Sequence, residues 1–93
     1  MNDLDNKLKK DVVVINELGL HARPAAMLAN IAMKAESDIW LSKDGDKVDS
    51  SSIIDILSLA CFKGSRITIQ AENPSDIDIL NEITSLFEKG FKE

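Results

Sequence analysis

An α+β open-faced sandwich is the fold this sequence predicts: a four-stranded antiparallel sheet with three helices on one face, in the order β-α-β-β-α-β-α. Two observations predict it. The strand-length segments alternate apolar and polar residues with period 2, and the longer segments carry one apolar stripe at helical spacing. Strands wet on one side and helices apolar on one side are both satisfied when every helix covers the same face of an antiparallel sheet. A chain of 93 residues, 44% of them hydrophobic, supplies one core and not two. Residues 11–93 are therefore expected to form a single domain behind a charged, flexible leader at residues 1–10 (MNDLDNKLKK).

The elements follow in order. Residues 11–16 (DVVVIN) are a β-branched run of strand length, and Gly19 turns the chain after it. From Ala22 to Ala35 the residues Ala25, Leu28, Ala29, Ala32 and Ala35 recur at helical spacing, and the alanine content favours helix. Residues 38–43 (DIWLSK) set Ile39 and Leu41 against Trp40 and Ser42, and Asp44-Gly45 marks a tight hairpin turn into residues 47–49. Ser50, Ser51 and Ser52 open a short helix containing Ile53, Ile54, Ile56, Leu57 and Leu59. After Lys63-Gly64, residues 65–71 place Ile67, Ile69 and Ala71 on one face and Arg66, Thr68 and Gln70 on the other. Pro74 and Ser75 lead into a last helix over residues 76–89, with its stripe at Ile79, Leu80, Ile83, Leu86 and Phe87 and its stop at Gly90.

Composition narrows the function. Lys+Arg 11 against Asp+Glu 16 leaves a net charge of -5, which disfavours nucleic acid as a partner because phosphate neutralisation needs clustered cations. Cys61, alone, makes no intrachain disulfide, and one His with one Cys provides no transition-metal site; no cofactor is expected. No stretch reaches the roughly 18 apolar residues of a membrane span and the first ten residues lack a signal peptide's apolar core, so a cytoplasmic chain without membrane insertion is expected. A Ser-His-acid hydrolase is excluded by the lack of a Gly-x-Ser-x-Gly elbow.

The chain's one histidine, His21, sits at the strand-to-helix junction Gly19-Leu20-His21-Ala22-Arg23-Pro24-Ala25. A helix start offers outward-pointing N-H groups and the positive end of the macrodipole, which stabilise an anion such as phosphate. Arg23 adds a planar donor fork suited to phosphoryl oxygens, and Pro24 in the first turn removes an N-H that the helix does not use. The pattern reads as an imidazole nucleophile aimed into an anion cradle, giving a phosphohistidine held by Arg23 and backbone amides. The plainer alternative makes His21 a helix cap or half-buried polar residue and Arg23 a solvated surface charge.

The segment GLHARPA resembles the active-site motif of the HPr family, the histidine-containing phosphocarriers of the bacterial phosphoenolpyruvate-dependent sugar phosphotransferase system. Ser52 to Leu59 (SIIDILSL), followed by Lys63-Gly64 and Ile67-Thr68-Ile69, is similar to that family's second signature, and the likeness runs without a gap from Asp11 to about Phe87. The family fold is the same open-faced sandwich. The resemblance implies that His21 is phosphorylated on Nδ1 by phospho-enzyme I and passes the group to sugar-specific IIA proteins, with Arg23 orienting the phosphoryl group. It implies a stoichiometric carrier rather than an enzyme. Ser52 matches the serine that an ATP-dependent HPr kinase/phosphorylase modifies in carbon control, and Ala22, Ile53, Ile54 and Leu57 match the docking patch for partners. A monomer is expected.

Other readings stay beside this one. Ser52-x-x-Asp55 is a near capping box, so the hydroxyl has a purely structural use. At about 100° per residue, Ile53, Ile56 and Leu57 share one side of the helix while Ile54 points elsewhere, so at least one large aliphatic group should be exposed. Asp55 departs from the glycine, alanine or lysine frequent in the family, as Asn30 and Met33 depart from lysine, and an acidic side chain on a docking helix repels acidic partners. Cys61 reads as a small buried hydrophobe, and Trp40 as a half-covered side chain on the open face or a contact for a partner or second copy. The alternatives in function are a regulatory binding module acting through phospho-Ser52 on a carbon-control regulator, and a nitrogen-branch carrier with the same chemistry.

Overall fold

The inward phase of each strand is set by alternating side chains, and the sheet's order decides what those side chains meet. The computed structural model describes residues 7–92. Its elements are β1 (Lys9–Val13), α1 (Ala22–Ala32), β2 (Ile39–Lys43), β3 (Asp46–Asp49), α2 (Ile53–Ser58), β4 (Arg66–Ala71) and α3 (Ile77–Glu88), with 3-10 turns at Pro74–Asp76 and Gly90–Lys92. The four strands form one antiparallel sheet in the order β1-β4-β2-β3. Ile39 and Leu41 of β2 and Ile67, Ile69 and Ala71 of β4 are buried, whereas Arg66 is exposed and Trp40, Thr68 and Gln70 are half-buried on the opposite face. The helices bury Ala25, Leu28, Ala29, Ile56, Leu80, Ile83 and Phe87 against that inner side. This is the open-faced sandwich expected from periodicity.

Strand β1 begins earlier than its β-branched run implies. Of the ten residues expected to form a leader, residues 1–6 lie outside the described residues, but Lys9 and Lys10 pair with Gln70 and Ile69, and Leu8 is buried. The Leu8 carbonyl also accepts the Ala71 N-H at 2.8 Å. The expectation of an unstructured leader up to residue 10 is therefore corrected: β4 offers ladder partners there, and two lysines join the sheet through their backbone. At the other end the ladder stops at Val13, although Val14 still exchanges bonds with Ser65 (3.0 Å) and Gly64 (2.8 Å) and the in-out alternation runs on to buried Asn16.

Helix α1 ends at Ala32, short of Ala35. Its last amides tighten into shorter-range bonds, Lys34 to the Ile31 carbonyl and Ala35 to that of Ala32. The next two N-H groups, of Glu36 and Ser37, donate to the two oxygens of the buried Asp76 carboxylate at 2.8 and 2.9 Å. Asp76 thus ties the exit of α1 to the entry of α3. The Asp44-Gly45 hairpin is as expected, with φ of +52° and +89° at its two central residues and Lys43 facing Asp46 across it. Trp40 lies on the open face, where its Nε1 donates to Glu72 at 2.8 Å and its ring carries the Lys47 ammonium 5.1 Å from the centroid.

Candidate functional site

The loop that carries His21 is built by a buried asparagine and a glycine. The Gly19 N-H donates to the Asn16 carbonyl at 3.1 Å, and Asn16 Nδ2 donates back to the Gly19 carbonyl at 2.6 Å, closing a turn over residues 16–19. Gly19 adopts φ +66°, and a Cβ there would stand 2.4 Å from the Cys61 carbonyl oxygen. That close approach lets the Leu20 N-H donate to the same oxygen at 2.9 Å, while the Leu20 side chain enters the core. Glu17 forms an ion pair with Lys63, and this hydrogen-bonded ammonium, by its contact and its charge, holds the Glu17 carboxyl below the usual carboxylate range. The strand-to-helix turn is therefore docked on the segment that leaves α2.

His21 follows as the N-cap of α1, in extended conformation with φ -81° and ψ -170°. Its carbonyl accepts the first intrahelical bond, from Ala25 at 3.0 Å, but its side chain makes no capping bond. The reading of His21 as a side-chain helix cap is therefore set aside. The ring is half-exposed, Ala22 and Arg23 are exposed, and Pro24 is buried at the third helical position, ahead of the first required donor. No acidic residue occupies the first turn, so the helix's own first turn sets no carboxylate against its positive end. A half-exposed His21 and an exposed Arg23 stand at one helix start, a set of groups whose chemistry suits an anion.

Helix α2 packs against α1 and presents the second set of expected residues. Ser52 is its N-cap, and its Oγ accepts the Asp55 N-H at 3.2 Å, so the capping half of the motif is in place. Ile56 is fully buried, while Ile53, Ile54 and Leu57 are 41%, 78% and 40% exposed; the three docking residues expected on this helix are therefore available on the surface. Asp55 is exposed between them. Because the Leu20 to Cys61 bond joins the His21 loop to the exit of α2, Ser52 lies at the opposite end of that helix, about 9 Å of helix away.

Two surface residues escaped the sequence reading. Phe62 and Leu18 are 69% and 73% exposed, in the two segments that the Leu20 to Cys61 bond holds together. Both sit in turns, where no periodicity marks an apolar side chain as inward or outward; only their position beside Gly19 and Lys63-Gly64 hinted at exposure. Cys61 itself is buried, and desolvation pushes its thiol up. Among the described residues no group of His, Cys, Asp and Glu is arranged to hold a metal ion, and no helix is long and apolar enough to cross a membrane.

A family model described as the PTS HPr component phosphorylation site matches residues 8–89. The phosphocarrier protein HPr of Cupriavidus necator is 34% identical over 86 residues, covering 92% of this chain and 97% of that protein. That of Treponema pallidum is 36% identical over 84 residues, covering 90% and 96%. Among solved structures, HPr-C-His from Thermoanaerobacter tengcongensis superposes with a TM-score of 0.86 at 35% identity, covering 91% of this chain and 96% of that one. With a shared fold, a matching motif region and this coverage, the chain belongs to the HPr family of phosphocarriers of the phosphotransferase system.

Proposed function

We propose that this chain carries a phosphoryl group on Nδ1 of His21, accepting it from phospho-enzyme I and ultimately from phosphoenolpyruvate, and delivering it to sugar-specific IIA proteins. The observation that supports this most is the N-cap geometry: His21 contributes its backbone to the helix and leaves its ring unused as a cap, half-exposed at a helix start without acidic residues. The ring nitrogen attacks phosphorus as the bond to the donor breaks, and in the second step a nucleophile of the IIA protein attacks phosphorus as the bond to His21 breaks. Arg23 and the first-turn amides stabilise the charge on the phosphoryl oxygens. The chain is spent and regenerated stoichiometrically in the cytoplasm, with partners doing the catalysis. Incubation with phosphoenolpyruvate and enzyme I, followed by intact-mass measurement, should add one acid-labile phosphoryl group to the wild type and none to His21→Ala. An unmodified wild type in the presence of competent enzyme I would sink this reading.

Partners dock on Ala22, Ile53, Ile54 and Leu57, which are all exposed. Ser52 is the regulatory position, modified by HPr kinase/phosphorylase and read by a carbon-control regulator. Its support is placement: a phosphate there gains from the helix start while adding a charge of roughly -1.5 to -2 beside Ile53 and Ile54. Retention of His21 and Arg23 favours the carrier over a module that works through Ser52 alone. Pull-down of partners with and without Ser52 phosphorylation tests the regulatory role, and binding indifferent to the modification removes it.

A further inference from the structure

Lys43 ends β2 in phase with Ile39 and Leu41, the strand's two core-facing residues, so its ammonium needs a polar destination at the edge of the core. It finds the exit of α2. Nζ donates to the carbonyls of Leu59 at 3.2 Å and Ala60 at 2.8 Å, at the negative end of the helix. Ala60 holds φ +51° there, a left-handed conformation that costs a residue with a Cβ and needs surrounding bonds to persist. The same ammonium stands 5.7 Å from the centroid of the exposed Phe62 ring. Between Ala60 and Phe62 lies Cys61, whose carbonyl fixes Leu20, the residue before His21. Lys43 and Leu20 therefore grip consecutive carbonyls of one short segment.

We propose that Lys43 is a positioning residue for phosphotransfer: by clamping the carbonyls of Leu59 and Ala60 it fixes the segment at residues 60–62, and through the Cys61 carbonyl it sets the backbone that presents His21. The inference rests on His21 being the phosphoryl acceptor. Lys43 makes and breaks no bond in the transfer; it holds the acceptor loop and the Phe62 ring in register with each other. Local misplacement of a nucleophile is costly even when the fold survives.

Two variants of the full chain test it. Lys43→Met keeps the aliphatic stem and removes the donors; Lys43→Arg keeps charge and donors. Amide hydrogen exchange at Leu20 reads the loop, against Leu41 and Ile69 in the two central strands, and phosphorylation by enzyme I with phosphoenolpyruvate reads the function. In Lys43→Met the Leu20 amide is expected to exchange about tenfold faster while Leu41 and Ile69 keep their rates, and kcat/KM for phosphorylation to fall about tenfold. Lys43→Arg should restore most of both. Leu20 exchange that is unchanged, or raised only as much as that of Leu41 and Ile69, overturns the clamp, as does phosphorylation at the wild-type rate. A wild-type chain that accepts no phosphoryl group overturns the carrier reading instead, and the exchange comparison then judges the clamp alone.

Discussion

His21 caps α1 through its backbone and makes no side-chain capping bond, and substitution should separate function from folding. His21→Ala is expected to abolish phosphorylation and to move the thermal midpoint by no more than a few degrees, since a half-exposed side chain without a capping bond contributes little to the helix. Collapse of the variant's circular dichroism under mild conditions would contradict that. Arg23→Ala should slow phosphorylation without preventing it, because the helix start keeps its share of the stabilisation; a time course of intact mass reads the difference. Gly19→Ala is the contrasting case. A Cβ 2.4 Å from the Cys61 oxygen, at φ +66°, should cost about 1–3 kcal/mol and displace the loop, lowering the urea midpoint and the phosphorylation rate together. Gly19 was legible as a turn residue, but its approach to Cys61 was not, since two segments far apart in sequence create it.

At the scale of elements, α2 depends on its cap more than a longer helix does. It has six residues, and the Ser52 hydroxyl satisfies one of its first amides. Ser52→Ala should therefore lose about 1 kcal/mol in chemical denaturation, whereas Ser52→Asp, which retains an acceptor and places a negative charge at the helix start, should lose less. Equal losses in the two variants would show that the cap contributes nothing. Helix types and inward stripes were legible because amphipathic periodicity is a local signal. Their ends were less so: α1 stops where Asp76, an acid of a distant turn, takes the amides of Glu36 and Ser37. The start of β1 was hidden for a similar reason, since Lys9 and Lys10 become strand through the partners that β4 offers. In the site, the His21 motif was legible as a contiguous string, while Phe62 and Leu18 were not, because turns carry no period.

For the whole molecule, Glu17 and Cys61 respond to pH in opposite directions. Burial raises the Cys61 thiol above its ordinary 9.0, so between that value and its folded one the unfolded chain releases a proton that the folded chain keeps. Stability from this group is complete below 9.0 and declines as pH rises; the urea midpoint of the wild type should fall relative to Cys61→Ala on going from pH 8 to about pH 10. Glu17 acts at the acid end. Its carboxyl is lowered by Lys63, so the stabilisation is present above the ordinary 4.5 and is lost as pH falls further. A wild-type alkaline profile parallel to that of Cys61→Ala would show that the thiol stays solvated.

The strand order β1-β4-β2-β3 also governs timing. Among the described residues β1 pairs only with β4, the last of the four strands in the chain, whereas β2 and β3 are joined by a two-residue turn. As the nascent chain emerges, the hairpin can close at once, while Val12 and Val14 wait until β4 is translated before their sheet partner arrives. The first of these four strands to leave the ribosome is thus among the latest to be protected, and its lysine-rich beginning keeps that waiting segment in water.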